Sequence, residues 1–146
     1  MQRIVIALSP ENTVQYYKFD NESDEWEDDV YKIGNAISKV HSETKLAAGF
    51  TATKANIIYQ DTEGKLGYAS TSDGVTWAHG GTLPAVNPVP GTPLATINLQ
   101  SAPEALRVYY ISASDASAHY LELSESGNTT GEYKQITTRA IGIANT

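Results

Sequence analysis

The chain has 146 residues, of which 40% are hydrophobic and 18% are charged, and its mean hydropathy is −0.33. These values are ordinary for a soluble globular protein, and the length suits a single domain over residues 1–146. The formal net charge of −7 argues against nucleic acid as a partner, because phosphate neutralisation needs Lys and Arg. No apolar run is long enough to span a membrane, so we expect no membrane insertion.

Cysteine is absent from the sequence, so disulfide bonds and thiol redox chemistry play no part in this protein. The segment Met1–Pro10 carries one basic residue and a short apolar run. This run is too short for a signal peptide and is typical of a strand. We therefore expect a cytoplasmic protein and leave secretion by a non-classical route open.

The first predicted strands are Arg3–Leu8 and Val14–Phe19, separated by the turn Ser9–Thr13. The acidic stretch Asp20–Asp29 follows, with seven carboxylates around Trp26. It lacks the glycine and the glutamate that a calcium-binding loop requires at its sixth and twelfth positions. We interpret it as a solvated turn.

The second group of predicted strands comprises Leu46–Phe50, Asn56–Gln60, Leu66–Ser70 and a fourth strand that begins at Trp77. Gly and Asp residues separate the last three, which favours tight turns, since Gly accepts positive φ and Asp bonds its own backbone. An up-and-down unit of four strands of this length is typical of a β-propeller blade.

A proline-rich segment, residues 84–93, links the second group to the third. Proline favours an extended connection that does not pair as a central strand. Strands are then predicted at Leu106–Ile111 and His119–Leu123, and the group closes at Tyr133.

The three groups indicate three imperfect repeats, at about residues 1–43, 44–91 and 92–146. The predicted fold is an all-β propeller of about three blade repeats per chain. Three blades do not close a ring, so we expect homo-oligomerisation to complete it, with six blades per dimer. The tail Thr138–Ile143 either forms a fourth strand of the third repeat, which we prefer, or supplies the missing first strand of the first repeat.

The sequence contains no nucleophile elbow, no Walker loop and no zinc-protease motif. His41, His79 and His119 occupy unrelated positions in the repeats, so we expect no metal site, no cofactor and no catalytic residue. Nine tyrosines and two tryptophans accompany only two phenylalanines. Aromatic rings with a polar group suit half-buried packing or surfaces that bind ligands such as sugars.

The runs Leu106–Tyr110 and Tyr59–Leu66 resemble the fucose-binding lectins of the Aleuria aurantia type, found in fungi and bacteria. The Thr-x-Leu-Ala segments at Thr44 and Thr92 and the closing tryptophans add to this resemblance. It implies a six-bladed propeller that some bacterial members assemble from several short chains. It also implies a non-catalytic, multivalent lectin that binds fucosylated or related glycans between its blades.

In these lectins an arginine and a glutamate hold the sugar hydroxyls while an aromatic ring from the preceding blade stacks on the sugar. The resemblance assigns these roles to Arg107, Glu122 and Trp77. A cross-strand ion pair between Arg107 and Glu122 is the alternative interpretation of the first two.

The other repeats lack the charged pair at the aligned positions. Those positions are Ile57 and Tyr68 in the second repeat, and Val5 and Tyr16 in the first. We therefore expect one family-like site per chain.

The sequence leaves two alternatives to a lectin, a glycosidase and a propeller that does not bind sugar. The segment Ser70–Trp77 is similar to the Asp-box turn of sialidases, but that motif is structural and supports a propeller rather than an activity. A sialidase-like glycosidase is disfavoured because the chain has only three arginines, in no matching context. The main alternative is a protein-interaction or structural propeller that does not bind sugar.

Overall fold

The computed structural model describes residues 3–124 and the backbone of residues 133–136. Within these ranges the chain forms three four-stranded antiparallel sheets. Helical structure there is limited to one 3-10 turn, Gly34–Ile37, and no helix in it is both long and apolar enough to cross a bilayer. The predicted all-β class is confirmed.

The first sheet is organised around its second strand. Its strands are β1 (Arg3–Leu8), β2 (Val14–Asp20), β3 (Glu25–Trp26) and β4 (Tyr31–Lys32). β2 pairs with β1 along one edge and with both short strands along the other. The turn between β1 and β2 forms because the Ser9 hydroxyl accepts the N–H groups of Glu11 and Thr13, at 3.2 and 3.1 Å.

The second sheet is a regular meander in which each strand pairs with the next. Its strands are β5 (Ala47–Phe50), β6 (Ala55–Gln60), β7 (Leu66–Thr71) and β8 (Ala78–Thr82). Each predicted boundary in this sheet lies within one residue of the observed one. The Asp61 carboxylate accepts the N–H groups of Glu63 and Lys65 at 2.9 Å and thereby closes the turn between β6 and β7.

The third sheet repeats the same meander. Its strands are β9 (Ala95–Leu99), β10 (Ala102–Ile111), β11 (Ala118–Ser124) and β12 (Tyr133–Ile136). The predicted closing aromatic, Tyr133, begins β12. The predicted tail strand Thr138–Ile143 lies outside the described residues.

The second sheet lies between the other two, and its two faces contribute to different core clusters. Ile57 and Tyr59 pack with the first sheet, around Val14 and Tyr16. Ile58 packs with the third sheet in a separate cluster that includes Leu106, Val108, Tyr110 and Leu121. Successive side chains of a strand point to opposite faces, so β6 is apolar on both sides. The outer faces of the first and third sheets are covered by no other described element.

The turn between β7 and β8 has the hydrogen bonds of a structural turn. One carboxylate oxygen of Asp73 accepts the N–H groups of Thr76 and Val75, at 2.7 and 2.8 Å, and the Thr71 hydroxyl, at 3.0 Å. These bonds favour the ionised carboxylate and lower the pKa of Asp73 to about 2. Gly74 follows with φ +75, a conformation that side chains disfavour.

Candidate functional site

The predicted pair Arg107 and Glu122 lies on the outer face of the third sheet. The two residues are directly opposite each other on β10 and β11, and Arg107 Nε donates a hydrogen bond of 2.9 Å to Glu122 Oε1. Leu106 and Val108 point toward the second sheet, so alternation directs Arg107 to the other side. Each side chain is 31% exposed, which leaves the pair accessible to a ligand.

Two tyrosines extend this face beside the ion pair. The Arg107 guanidinium carbon lies 4.7 Å from the centroid of the Tyr120 ring, and that ring lies 5.7 Å from the Tyr109 ring. The hydrogen bond to Glu122 raises the pKa of Arg107, so the guanidinium stays charged. We name Arg107, Tyr109, Tyr120 and Glu122 the charged face.

The charged face combines the groups that recognise vicinal hydroxyls. A guanidinium donates, a carboxylate accepts, and hydrogen bonds that involve an ionised group are the stronger kind. The ion-pair interpretation of Arg107 and Glu122 describes the observed geometry, while a sugar-binding role for the two residues stays a prediction. Sequence reasoning missed Tyr120, although it lies two residues before Glu122 on the same strand and therefore on the same face.

The structure does not bring Trp77 to the charged face. Trp77 precedes β8 and packs on the core between the first and second sheets, with its ring 5.8 Å from that of Tyr16. Its indole N–H is buried and has no hydrogen-bond partner among the described residues. The charged face and Trp77 thus belong to different sides of the second sheet, and the predicted stacking role of Trp77 stays a prediction.

Hydrogen bonds in the turns identify which residues of the other sheets correspond to Arg107. The turns that follow β1, β6 and β10 are each closed by a backbone hydrogen bond from the N–H of the first turn residue. The donor and acceptor residues are Ser9 and Thr13, Asp61 and Lys65, and Ser112 and Ser117. The residues five places before these turns are Ile4, Asn56 and Arg107. Their partners on the next strand are Lys18, Ser70 and Glu122.

This register corrects the sequence alignment. The predicted pairs, Ile57 with Tyr68 and Val5 with Tyr16, are not opposite each other, because Tyr68 pairs with Ile58 and Tyr16 pairs with Ile6. A shift of one residue moves a side chain to the other face of a sheet. In the second sheet the counterparts of the charged pair are therefore an amide and a hydroxyl, Asn56 and Ser70.

Asn56 and Ser70 line a cleft of about 280 Å³ between the second and third sheets. Tyr68 lies on the same wall, and Leu123 and Ser124 come from the third sheet. A second cleft, of about 270 Å³, involves Ile4. We name the cleft that contains Asn56 the amide cleft.

No group of three His, Cys, Asp or Glu side chains within the described ranges is placed to hold a metal ion. His119 instead pairs with Asp115, with Nε2 at 2.9 Å from Oδ2, next to the turn after β10. His79 lies with Nδ1 at 3.3 Å from the Ala36 carbonyl oxygen. These histidines therefore have local structural contacts.

Three solved structures are similar to this fold. AofleA from Arthrobotrys oligospora has a TM-score of 0.69 and is 25% identical, over 92% of this chain and 38% of its own. The BP39L lectin from Burkholderia pseudomallei has a TM-score of 0.56 and is 14% identical, over 93% of this chain and 40% of its own. A variant of Aleuria aurantia lectin in complex with α-methyl-L-fucoside has a TM-score of 0.54 and is 17% identical, over 92% of this chain and 45% of its own.

These matches confirm the relationship in fold to lectins of the Aleuria aurantia type that the sequence predicted. The chain spans less than half the length of each of these proteins. No family model matches the chain, and no curated protein matches it.

Proposed function

We propose that this chain is a non-catalytic lectin that binds a fucosylated or related glycan at the charged face. The observation that carries the proposal is the half-exposed ion pair of Arg107 and Glu122 beside the Tyr120 ring. The similarity in fold to BP39L lectin, and to an Aleuria aurantia lectin bound to a fucoside, supports it.

Each group on the charged face has a defined part in this proposal. The guanidinium donates to two neighbouring hydroxyls of the sugar, and the carboxylate accepts from one of them. The tyrosine rings offer an apolar surface to the C–H groups of the sugar. Neither role needs a nucleophile or a general acid, which fits binding without turnover.

We further propose that the three sheets are propeller blades and that a second copy completes a six-bladed ring. The outer face of the first sheet exposes Val5 and Trp26, each 48% exposed, and Trp26 packs edge-on against Phe19 at 5.3 Å. On the outer face of the third sheet, Ile97 is opposite Arg107 and is 46% exposed. Head-to-tail association of two copies covers both faces and removes exposed apolar surface from water.

This ring would also complete the sugar site. The first sheet of one copy would lie against the charged face of the other and bring Trp26 toward Arg107. Trp26 closes the first repeat as Trp77 closes the second. An aromatic ring from the neighbouring blade would then be available for stacking, in the role that the resemblance assigned to Trp77.

Calorimetry with α-methyl-L-fucoside and a glycan array test the binding site. We expect Arg107→Ala to weaken binding roughly 10- to 100-fold, the range that corresponds to losing one or two charge-assisted hydrogen bonds. Lys65→Ala is the matched control, since it removes an exposed ion pair with Glu63, at 3.5 Å, on a distant turn. Equal loss in both variants would assign the effect to net charge rather than to the site.

Light scattering on the same samples tests the ring. A molecular mass of two chains would support the six-bladed ring, whereas a folded monomer would contradict it. A dimer that binds no glycan would favour the protein-interaction propeller. Turnover of a chromogenic glycoside would reject the non-catalytic assignment.

A further inference from the structure

β1 has one strand partner, whereas its counterparts in the other two sheets have two. Among the described residues β1 pairs only with β2. In the second sheet β6 lies between β5 and β7, and in the third sheet β10 lies between β9 and β11. The first sheet therefore lacks, within the described ranges, a strand that corresponds to β5 and β9. We name the side of β1 that faces away from β2 the open edge.

The hydrogen bonds of the first hairpin show which backbone groups point to the open edge. Ser9 N–H donates to Thr13 O at 2.9 Å, so these two residues form a hydrogen-bonded pair. Such pairs alternate along an antiparallel ladder, so every second residue of β1 bonds to β2. The residues between them, Ile4, Ile6 and Leu8, direct their N–H and C=O groups to the open edge. These groups have no partner among the described residues.

In the other two sheets the corresponding end of the strand is bonded to a buried threonine. Gln60 and Ile111 are the last residues of β6 and β10, as Leu8 is the last residue of β1. Gln60 N–H donates to Thr44 Oγ1, and Ile111 N–H donates to Thr92 Oγ1, both at 2.8 Å. Both threonines are buried. Leu8 has no such threonine among the described residues.

The segments that carry these threonines share a sequence pattern. Thr44–Ala47 and Thr92–Ala95 both read Thr-x-Leu-Ala, and each ends on the first residue of its strand, β5 or β9. Leu46 packs on the core cluster between the first and second sheets, and Leu94 packs on the cluster between the second and third. A strand at the open edge with this pattern would place its threonine hydroxyl at Leu8 N–H.

The space beside β1 is bordered by exposed apolar surface. Thr96 Oγ1 donates to Ala48 O at 2.5 Å, so β9 and β5, the first strands of adjacent sheets, lie side by side. A strand at the open edge would lie beside β5 in the same way. Phe50, at the end of β5, is 49% exposed there, and with Ile4 and Ile6 it lines an apolar cavity of about 60 Å³. Covering this surface would remove apolar groups from water.

β1 also lacks the features that keep a strand edge unpaired. Proteins protect such edges with very short strands, with lysine or proline, or with bulges. β1 has six residues, contains neither lysine nor proline, and pairs with β2 in an unbroken register. Its one charged residue, Arg3, stands at its beginning. The other edge of the same sheet is instead formed by two strands of only two residues each.

We propose that the open edge binds an extended segment donated by another polypeptide, antiparallel to β1 and of the Thr-x-Leu-Ala type. Backbone hydrogen bonds to β1 supply the affinity, and the side chains of the donated strand supply the selectivity. The inference does not depend on sugar binding, since the charged face belongs to the third sheet. The segment Thr138–Ile143 lies outside the described residues, and amide exchange in the free chain distinguishes it from a separate donor.

A synthetic peptide with the sequence of Thr44–Thr51 is the probe, because this segment occupies the corresponding edge of the second sheet. The fluorescently labelled peptide is titrated with the full chain, and its anisotropy is measured. We expect saturable binding of one peptide per chain. A peptide of the same composition in scrambled order should not bind. Absence of binding by the Thr44–Thr51 peptide would overturn the proposal.

Methylation of single peptide nitrogens distinguishes strand pairing from nonspecific adhesion. Asp61 N–H donates to Lys65 O, so the alternation places Ala47 in a hydrogen-bonded pair with Ile58 and leaves Ala48 outside one. N-methylation of Ala47 in the peptide should therefore lower the affinity at least about tenfold. N-methylation of Ala48 is the matched control and should change the affinity less than about twofold. Equal effects of the two methyl groups would contradict pairing with β1.

Hydrogen exchange followed by NMR locates the bound peptide. In the free chain the amides of Ile4, Ile6 and Leu8 should exchange rapidly, and about 90% saturation with peptide should slow them roughly tenfold. The amide of Val5, which bonds to β2, is the internal reference. Slow exchange of the three amides in the free chain would mean that a segment of the chain itself, such as Thr138–Ile143, covers the edge. That result would overturn the proposal, as would peptide binding that leaves the three amides unprotected.

Discussion

Gln60 provides the most demanding test of how the second and third sheets are held together. It is the last residue of β6, and its side chain is fully buried. Its Nε2 donates to the carbonyl oxygens of Gly64, at 2.8 Å, and Val89, at 3.1 Å, while its Oε1 accepts the N–H of Gly91 at 2.8 Å. One amide thus joins the turn after β6 to the linker that leads to the third sheet.

Replacing this side chain by alanine removes three hydrogen bonds at once. Each contributes about 1 kcal/mol net, so we expect Gln60→Ala to lower the free energy of unfolding by about 3 kcal/mol. A chain of this size loses roughly 3–5 °C in melting temperature per kcal/mol, so the melting temperature should fall by roughly 10 °C. Urea unfolding followed by tryptophan fluorescence measures the free energy, and a thermal scan measures the shift.

Gln15→Ala is the matched control. Gln15 also lies in a strand, β2, but it is only partly buried, so the loss of its side chain should cost no more than about 0.5 kcal/mol. A loss below about 1 kcal/mol for Gln60→Ala would show that the three bonds do not hold the linker, and the reasoning would be refuted.

Gln60→Glu adds a test in which the charge changes with pH. The introduced carboxylate would still accept the N–H of Gly91, but it would also face the two carbonyl oxygens to which the Gln60 amide donates. Burial and these carbonyls would raise the pKa of the introduced acid in the folded state. The variant should therefore be most stable below the unfolded pKa, near 4.3, and lose stability as the pH rises through the folded pKa. A loss of stability that does not vary with pH would contradict this account.

Three further predictions concern single contacts. The pKa of Asp73 is lowered to about 2 in the folded protein, so its ionised carboxylate adds to the free energy of unfolding above pH 4, and this contribution is lost as the pH falls through 2. In Asp73→Asn the urea midpoint should not show this decrease at low pH. Gly49→Ala should cost about 1–3 kcal/mol in urea unfolding, because its Cβ would lie 2.5 Å from Leu106 Cδ1; an unchanged midpoint would contradict the close approach. The hydroxyl of Tyr31 donates to Glu27, which raises the pKa of Tyr31 to about 12; an absorbance titration should lose its last step in Tyr31→Phe and show it at lower pH in Glu27→Gln.

The regular strands could be predicted from the sequence because local and tertiary preferences agree there. β6 and β7 are apolar runs bounded by Asp61 and Gly64, and both residues form the turn that their chemistry favours. The turn at Asp73 was likewise recognisable from the amino-acid sequence of Ser70–Trp77. Where turn chemistry and apolar pattern coincide, boundaries fell within one residue of the observed ones.

The edge of the first sheet could not be predicted in the same way. The acidic stretch after β2, which we interpreted as a solvated turn, contains the two-residue strand Glu25–Trp26, and a second two-residue strand, Tyr31–Lys32, follows it. Aromatic contacts hold these short pieces, since Trp26 packs on Phe19 and Tyr31 stacks on Tyr16 at 5.2 Å. No local pattern in an acidic stretch signals such contacts, because they depend on rings that lie on another strand.

The side of a sheet to which a residue points was the hardest feature to predict, and it decides where a site can form. Ile57 and Ile58 are adjacent, identical and equally buried, so no alternation of polar and apolar residues indicates which faces the third sheet. The hydrogen bond that closes the turn at Asp61 settles the register and makes Asn56, not Ile57, the counterpart of Arg107.

The side of the sheet to which Trp77 points could not be predicted from the sequence either. A register shift between Tyr68 and Ala69 alters how β8 pairs with β7 just beyond this tryptophan. A bulge of this kind redirects the side chains that follow or precede it. The tryptophan packs on Tyr16, and the aromatic ring that lines the cleft together with Asn56 is that of Tyr68. One family-like site per chain stays a prediction, and the register assigns the uncharged residues Asn56 and Ser70 to the positions in the second sheet that align with Arg107 and Glu122.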